Sequence, residues 1–434
     1  MIHWLKSYLR LPSTVWWLCA GLFLTGSVQM GFLHVLNVYM SQLGHSDARI
    51  AELSSYRFVS VFFLSVPLGL FLRGRRLKPV LLAGALSAAV FSVVLLEALS
   101  RNWSSVLDWI FLASGLSMVL LNVSAMPYLL RASSEENLSE SVSLNAASAS
   151  FAGFASGLAI SVLTPARPVT VLGIGIAADP YFALMSISVA SFLAMYCFAR
   201  LPELPAPPEL AKTPGRRFWH LDLDYDWRRI LIVSAPTLVI AVGAGLAIPF
   251  INLFFHSVFK MSAGTFGAFG GLAQATVFLA SLAIPLVRRR YGWHVTIVGS
   301  QGLAIVMLAG MSLSELLADN AWAVWVALVC FLLRTPLMQM AGPATAELTV
   351  SYVGGKNREI IGTLNGTIWS GSWYVSAKLF ELMRSHGMPY WQIFLITVVM
   401  YAAGTTCYAF IIRSYERRLA RDEAAVGIPA SDQA

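Results

Sequence analysis

Residues Cys330–Trp373 read CFLLRTPLMQMAGPATAELTVSYVGGKNREIIGTLNGTIWSGSW. An apolar run carrying one cation, Arg334, passes through Pro343 into a polar turn with Lys356, Arg358 and Glu359. A second apolar run with Trp369 and Trp373 follows. An earlier stretch has the same plan. Asn122–Pro127 closes an apolar run, Arg131–Glu140 forms a polar turn, and Ser143-Leu144-Asn145 opens the next run. Pro127 precedes Pro343 by 216 positions, and Leu144-Asn145 precedes Leu364-Asn365 by 220. Offsets near half of a 434-residue chain point to a duplicated unit.

Two more landmarks repeat. Asn37-Val-Tyr-Met parallels Asn252-Leu-Phe-Phe, and Pro67-Leu68 before a basic loop parallels Pro285-Leu286 before Arg288–Arg290. Such repeats predict two six-helix halves related by an axis along a membrane normal.

Composition places the duplicated unit in a bilayer. The chain is 57% hydrophobic and 12% charged, whereas a soluble domain carries roughly 25% charged residues. The apolar residues fall in about a dozen blocks of roughly 20, the length that crosses a hydrocarbon core. Lipid offers backbone groups no partners, so each block is expected to be a helix. The fold class predicted is therefore an all-α membrane protein of twelve transmembrane helices in two pseudo-symmetric bundles.

The first set is expected at Thr14–Met40, Ile50–Leu72, Pro79–Leu99, Val106–Leu130, Val142–Leu163 and Pro180–Ala199. The second is expected at Arg229–Val258, Ala263–Val287, His294–Leu316, Ala321–Ala346, Glu359–Met383 and Pro389–Ile412. The domain plan is residues 1–200, a Pro-rich and charged linker 201–227, and residues 228–434.

The net charge of +8 needs no nucleic-acid partner, because positive-inside loops give the same excess. On this plan 22 basic residues fall on the side shared by the termini and 5 on the other. Both termini are thus expected in the cytoplasm, in the inner membrane of a bacterium. The four cysteines lie in apolar blocks without CxxC spacing, which predicts small buried hydrophobes rather than a disulfide or metal site. Asp222, Asp224 and Asp226 alternate as in a calcium loop, but the glycine and closing glutamate are missing. No nucleophile–base set and no phosphate-binding glycine loop is present, so neither an enzyme, a resident cofactor nor ATP-driven transport is expected.

With these features the chain resembles major facilitator superfamily transporters along nearly its whole length. The family's loop between helices 2 and 3 reads Gly-x-x-x-Asp-Arg-x-Gly-Arg-Lys; here the place is held by Gly69-Leu-Phe-Leu-Arg-Gly-Arg-Arg-Leu-Lys78. Gly69 and Lys78 match, while Arg73 stands where the family's gate-latching aspartate belongs. The corresponding loop of the second half, Pro285–Gly292, also lacks the acid. The resemblance implies a secondary transporter working by alternating access on a small solute, as a monomer in lipid, with a proton or other ion as coupling partner.

Ionisable groups inside a span are costly and usually face a cavity or a partner. Three basic residues fall within spans: Arg334 at mid-helix, and Arg57 and Lys378 nearer one surface, where Glu52 and Glu381 could pair with them. No carboxylate sits at mid-depth. A basic cavity favours a polar or anionic metabolite, with export of amphipathic compounds as the second reading. Helices 1, 4, 7 and 10 line the cavity in this superfamily, which implies Gln29, Asn37, Asn122, Asn252 and Gln339 beside Arg334 as substrate-binding residues. Trp369 and Trp373 share a helix face and could stack on a substrate. Proton carriers are sought in His34, Glu52 and Glu347.

Overall fold

The computed structural model describes residues 11–72, 75–134, 137–164, 169–171, 174–176, 179–204, 226–354 and 358–426. Arg73, Lys356 and linker residues 205–225, with Asp222 and Asp224, lie outside the described residues.

Among the described residues there are twelve long helices. The first six are α1 (Ser13–Gln42), α2 (Asp47–Leu72), α3 (Lys78–Ser100), α4 (Leu107–Ala132), α5 (Leu138–Leu163) and α6 (Pro180–Ala199). The last six begin with α7 (Trp227–Phe259) and α8 (Ala263–Trp293). Next comes α9, built from His294–Gly299, Ser300–Leu313 and Ser314–Leu317, then α10 (Ala323–Val353), α11 (Arg358–Ser385) and α12 (Tyr390–Val426). Ten are long and apolar enough to cross a membrane. The other two, α2 and α11, span 26 and 28 residues, enough for a hydrocarbon core of ~30 Å at 1.5 Å per residue.

Prolines inside α2, α4, α7 and α10 do not end them, because neighbouring helices can satisfy the freed backbone groups. Several helices outrun their apolar blocks. Thus α12 continues past Ile412 to Val426 through RSYERRLARDEAAV, a run rich in Arg, Glu and Ala, which favour helix in water too. Between α5 and α6 the strands β1 (Val169–Val171) and β2 (Ile174–Ile176) pair antiparallel; they are the only strands among the described residues.

Successive helices reverse direction, so the start of α1 and the end of α12 share one face, here the terminal face. The opposite one is the distal face. The two halves meet along two seams, α2 against α11 and α5 against α8. Both need small residues. A Cβ on Gly157 of α5 would lie 2.5 Å from the Gly267 carbonyl oxygen of α8, and one on Gly371 of α11 would lie 2.5 Å from the Phe62 ring of α2. Helix association in lipid depends on such close backbone approach.

Candidate functional site

Between the halves lies a cavity of about 480 Å³, within the usual size range of small-molecule sites. Its walls come from α1, α7, α8, α9, α10, α11 and α12. Along α10 the lining runs from Phe331 to Thr349. Those 18 positions span ~27 Å at 1.5 Å per residue and end four residues short of the Val353 terminus. The cavity therefore reaches toward the terminal face.

The distal face is closed by a reciprocal clasp between repeated elements. Asn37 Nδ2 of α1 donates to the Pro249 carbonyl of α7 at 2.6 Å and to Asn252 Oδ1 at 3.3 Å. Asn252 Nδ2 donates back to the carbonyls of Leu33 and His34, each at 3.1 Å. Pro249 stands three residues before Asn252, and His34 three before Asn37, so the duplicated asparagines perform the same act on each other's helix.

Local irregularity makes this possible. Phe32–Leu36 is a π-helical segment and Ile248–Phe250 a 3-10 turn, distortions that often mark functional points in a helix. In α7, the Leu253 amide donates to Asn252 Oδ1 at 2.7 Å. That leaves the Pro249 carbonyl free for Asn37.

A charged latch lies further out. Arg384 of α11 donates to Asp47 Oδ2 from Nη2 at 2.6 Å and from Nε at 3.0 Å. Tyr390 Oη donates to the same oxygen at 2.6 Å. The pair is sheltered, with side chains 21% and 16% exposed.

Arg334 is the only charged side chain lining the cavity among the described residues. It is 3% exposed. Its Nη2 donates to Tyr401 Oη at 3.2 Å, and among the described residues its Nε has no partner and no carboxylate pairs with it. Some other polar lining groups are paired: Thr237 Oγ1 meets Tyr408 Oη at 2.7 Å, and Gln301 Oε1 accepts from Thr405 Oγ1 at 2.9 Å. The rest of the wall is largely apolar and aromatic, including Met30, Ile240, Phe266, Phe331, Met338 and Trp373.

Of the residues singled out in the sequence, the cavity gathers Arg334, Asn252, Gln339, Trp369, Trp373 and His34. Asn37 is spent in the clasp. Gln29 is half-buried outside the lining and Asn122 is exposed on α4. Arg57 turns toward α4 and α1, with Nε 3.1 Å from Met118 Sδ and its guanidinium 5.8 Å from the Phe32 ring. Lys378 pairs with Glu381 at 2.8 Å and lies over the Tyr56 ring of the other half. Glu52 binds Arg49 at 2.7 Å and Tyr56 at 3.1 Å, while Glu347 is exposed and outside the lining. Of the family-loop residues, Gly69 faces Val123 of α4, and Lys78 Nζ donates to the Ala199 carbonyl at 2.9 Å.

Tyr401, Tyr408 and the Asp47–Arg384–Tyr390 latch escaped the sequence reading. Tyr401 and Tyr408 stand seven apart on α12, two turns along one face, a signal hidden by the emphasis on helices 1, 4, 7 and 10.

A bundle of twelve membrane helices around one central cavity defines a solute transporter rather than an enzyme. The sequence model of the Major Facilitator Superfamily matches residues 18–377, well over half of the chain, which therefore belongs to that superfamily. No curated protein matches the chain. Solved structures share its fold at low identity. A bacterial homologue of the iron transporter ferroportin, inward-facing, aligns with TM-score 0.68 at 13% identity over 92% of this chain and 98% of that one. A bacterial homologue of ferroportin in an outward-facing state gives 0.59 at 14% identity, over 92% and 99%. A D-xylose-proton symporter gives 0.68 at 14% identity, over 92% and 96%.

Proposed function

We propose that this transporter moves a small amphipathic organic anion by alternating access, with the terminal face in the cytoplasm. The observation that carries this is Arg334, a buried cation in the cavity wall without a carboxylate partner among the described residues. A buried charge without a partner costs several kcal/mol, and such a cost is retained where a ligand supplies the counter-charge. The mainly apolar wall favours an anion with a hydrophobic or aromatic body over a multiply charged metabolite.

The 22-to-5 distribution of basic residues supports the cytoplasmic assignment of the terminal face. On that assignment the closed distal clasp and the cavity's reach describe an inward-facing state. The higher similarity to the inward-facing than to the outward-facing ferroportin homologue supports the same reading.

Export of amphipathic compounds is the second reading, favoured by the aromatic lining at Phe331, Trp369 and Trp373. Counterflow in proteoliposomes separates the two. Vesicles loaded with unlabelled benzoate are expected to accumulate labelled benzoate. Accumulation of tetraphenylphosphonium, with none of benzoate, would reject the anion reading.

A further inference from the structure

Among the described residues, five buried side-chain polar atoms lack a hydrogen-bond partner: His34 Nδ1, Ser188 Oγ, Ser234 Oγ, Arg334 Nε and Asn365 Oδ1. Three of these belong to the wall of the central cavity, on His34, Arg334 and Asn365. Each unmade bond costs ~1–3 kcal/mol, so their convergence on one cavity points to groups awaiting a ligand.

Their depths sort them. The Phe266 and Phe331 rings meet with centroids 5.7 Å apart, fixing the register of α8 against α10. Arg334 lies three residues beyond Phe331, ~4.5 Å toward the terminal face. Gly270 lies four beyond Phe266, ~6 Å the same way. The His34 ring packs on Gly270, where an added Cβ would lie 3.1 Å from Cδ2. His34 and Arg334 therefore share one level. Asn365 donates to Thr349 at 3.5 Å, 15 residues past Arg334 and ~22 Å away along α10, so it marks a separate station on the path.

We propose that His34 is the second anion-recognising residue, set opposite Arg334 and supplied by the other half, and that it takes up one proton as the anion binds. The proposal rests on the anion reading above. A neutral imidazole has one donor nitrogen and one acceptor nitrogen, whereas the protonated ring donates from both. Protonation turns Nδ1 and Nε2 alike into donors for a carboxylate. The proton comes from the water of the open terminal side, and no covalent bond changes.

The groups packed on the His34 segment are uncharged: Gly270 of α8, Asn252 of α7, and Leu184 and Ile187 of α6 near Gly31. The titratable Tyr181 of α6 is bonded away to Glu97 at 2.6 Å. The nearby charges are cations, Arg334 across the cavity and Arg57 behind Phe32. A third positive charge at this level needs an anion to offset it, which links the proton to the substrate. The His34 carbonyl also accepts from Asn252, so the residue that meets the anion is itself part of the distal clasp.

The test is calorimetry of benzoate binding between pH 6 and 8, in buffers of differing ionisation enthalpy, on wild type, His34→Gln and Arg334→Gln. Wild type is expected to take up about one proton per benzoate, its affinity falling up to about tenfold per pH unit as pH rises. His34→Gln is expected to bind more weakly, with uptake near zero and a flat profile. Wild-type uptake near zero, or uptake unchanged in His34→Gln, overturns the proposal while leaving the anion reading in place. Benzoate bound equally well by Arg334→Gln overturns both. The wild-type proton count stands as evidence even if a variant fails to fold.

Discussion

Arg334→Gln is expected to weaken binding of an organic anion by about 100-fold or more, while leaving the unfolding temperature of the ligand-free protein unchanged or higher. Truncating one partner of a desolvated, hydrogen-bonded charge pair costs ~2–5 kcal/mol, and each 1.4 kcal/mol is about tenfold in affinity. Nothing comparable is lost from the empty protein. There Arg334 makes one hydrogen bond, to Tyr401 at 3.2 Å, and leaves Nε unpartnered. Removing an uncompensated buried charge relieves a desolvation cost. The two effects pull in opposite directions, which separates a binding role from a structural one. A purely structural arginine would lose stability and affinity together. Arg334→Lys is expected to recover part of the affinity, since the charge returns without the fork of donors.

The second large effect concerns the distal gate. Asp47→Asn combined with Asn252→Ala is expected to shift the population toward a state open on the distal face by about 100-fold. Interhelical hydrogen bonds in membranes contribute ~0.6–1.7 kcal/mol each, and Asn252→Ala removes the two made to α1 and the one received from Asn37. Asp47→Asn removes the ion pair with Arg384 and weakens the contact with Tyr390. Together ~3 kcal/mol is at stake, and an equilibrium shifts tenfold per 1.4 kcal/mol. Spin labels at Gln42→Cys and His386→Cys, both exposed on the distal side, would read the opening. Cys407 is exposed and must first be replaced by serine. A growing long-distance population is the expected result. An unchanged distance distribution would mean that the clasp and latch do not hold the distal face shut.

The fold was legible because bilayer helices announce themselves by length and apolarity, and because duplication left Pro127 and Pro343, and Asn37 and Asn252, at matching offsets. Arg334 was legible for a related reason: a cation at mid-span has few roles other than lining a cavity. The parts that were not legible depend on geometry that spacing does not encode. Asn37 and Asn252 are polar residues at similar depth, and reading them as substrate ligands is reasonable until the helix distortions are seen. Only the π segment at Phe32–Leu36 and the 3-10 turn at Ile248–Phe250 reveal which carbonyls they hold. Asp47 and Arg384 are 337 residues apart; their pairing exists only once α2 and α11 lie side by side. Arg57 illustrates the converse, a span cation whose described contacts, Met118 and Phe32, place it outside the cavity lining.

The most direct test of the central claim is a thermal-shift screen on purified wild type beside Arg334→Gln, with organic anions and hydrophobic cations at equal concentration. Binding to the folded state alone raises apparent stability by RT ln(1 + [L]/Kd), about 2.7 kcal/mol at 100 times Kd. Anionic aromatic carboxylates are expected to stabilise the wild type and to lose that effect in Arg334→Gln. Stabilisation by hydrophobic cations, equal in both proteins and without any response to the anions, would contradict the account.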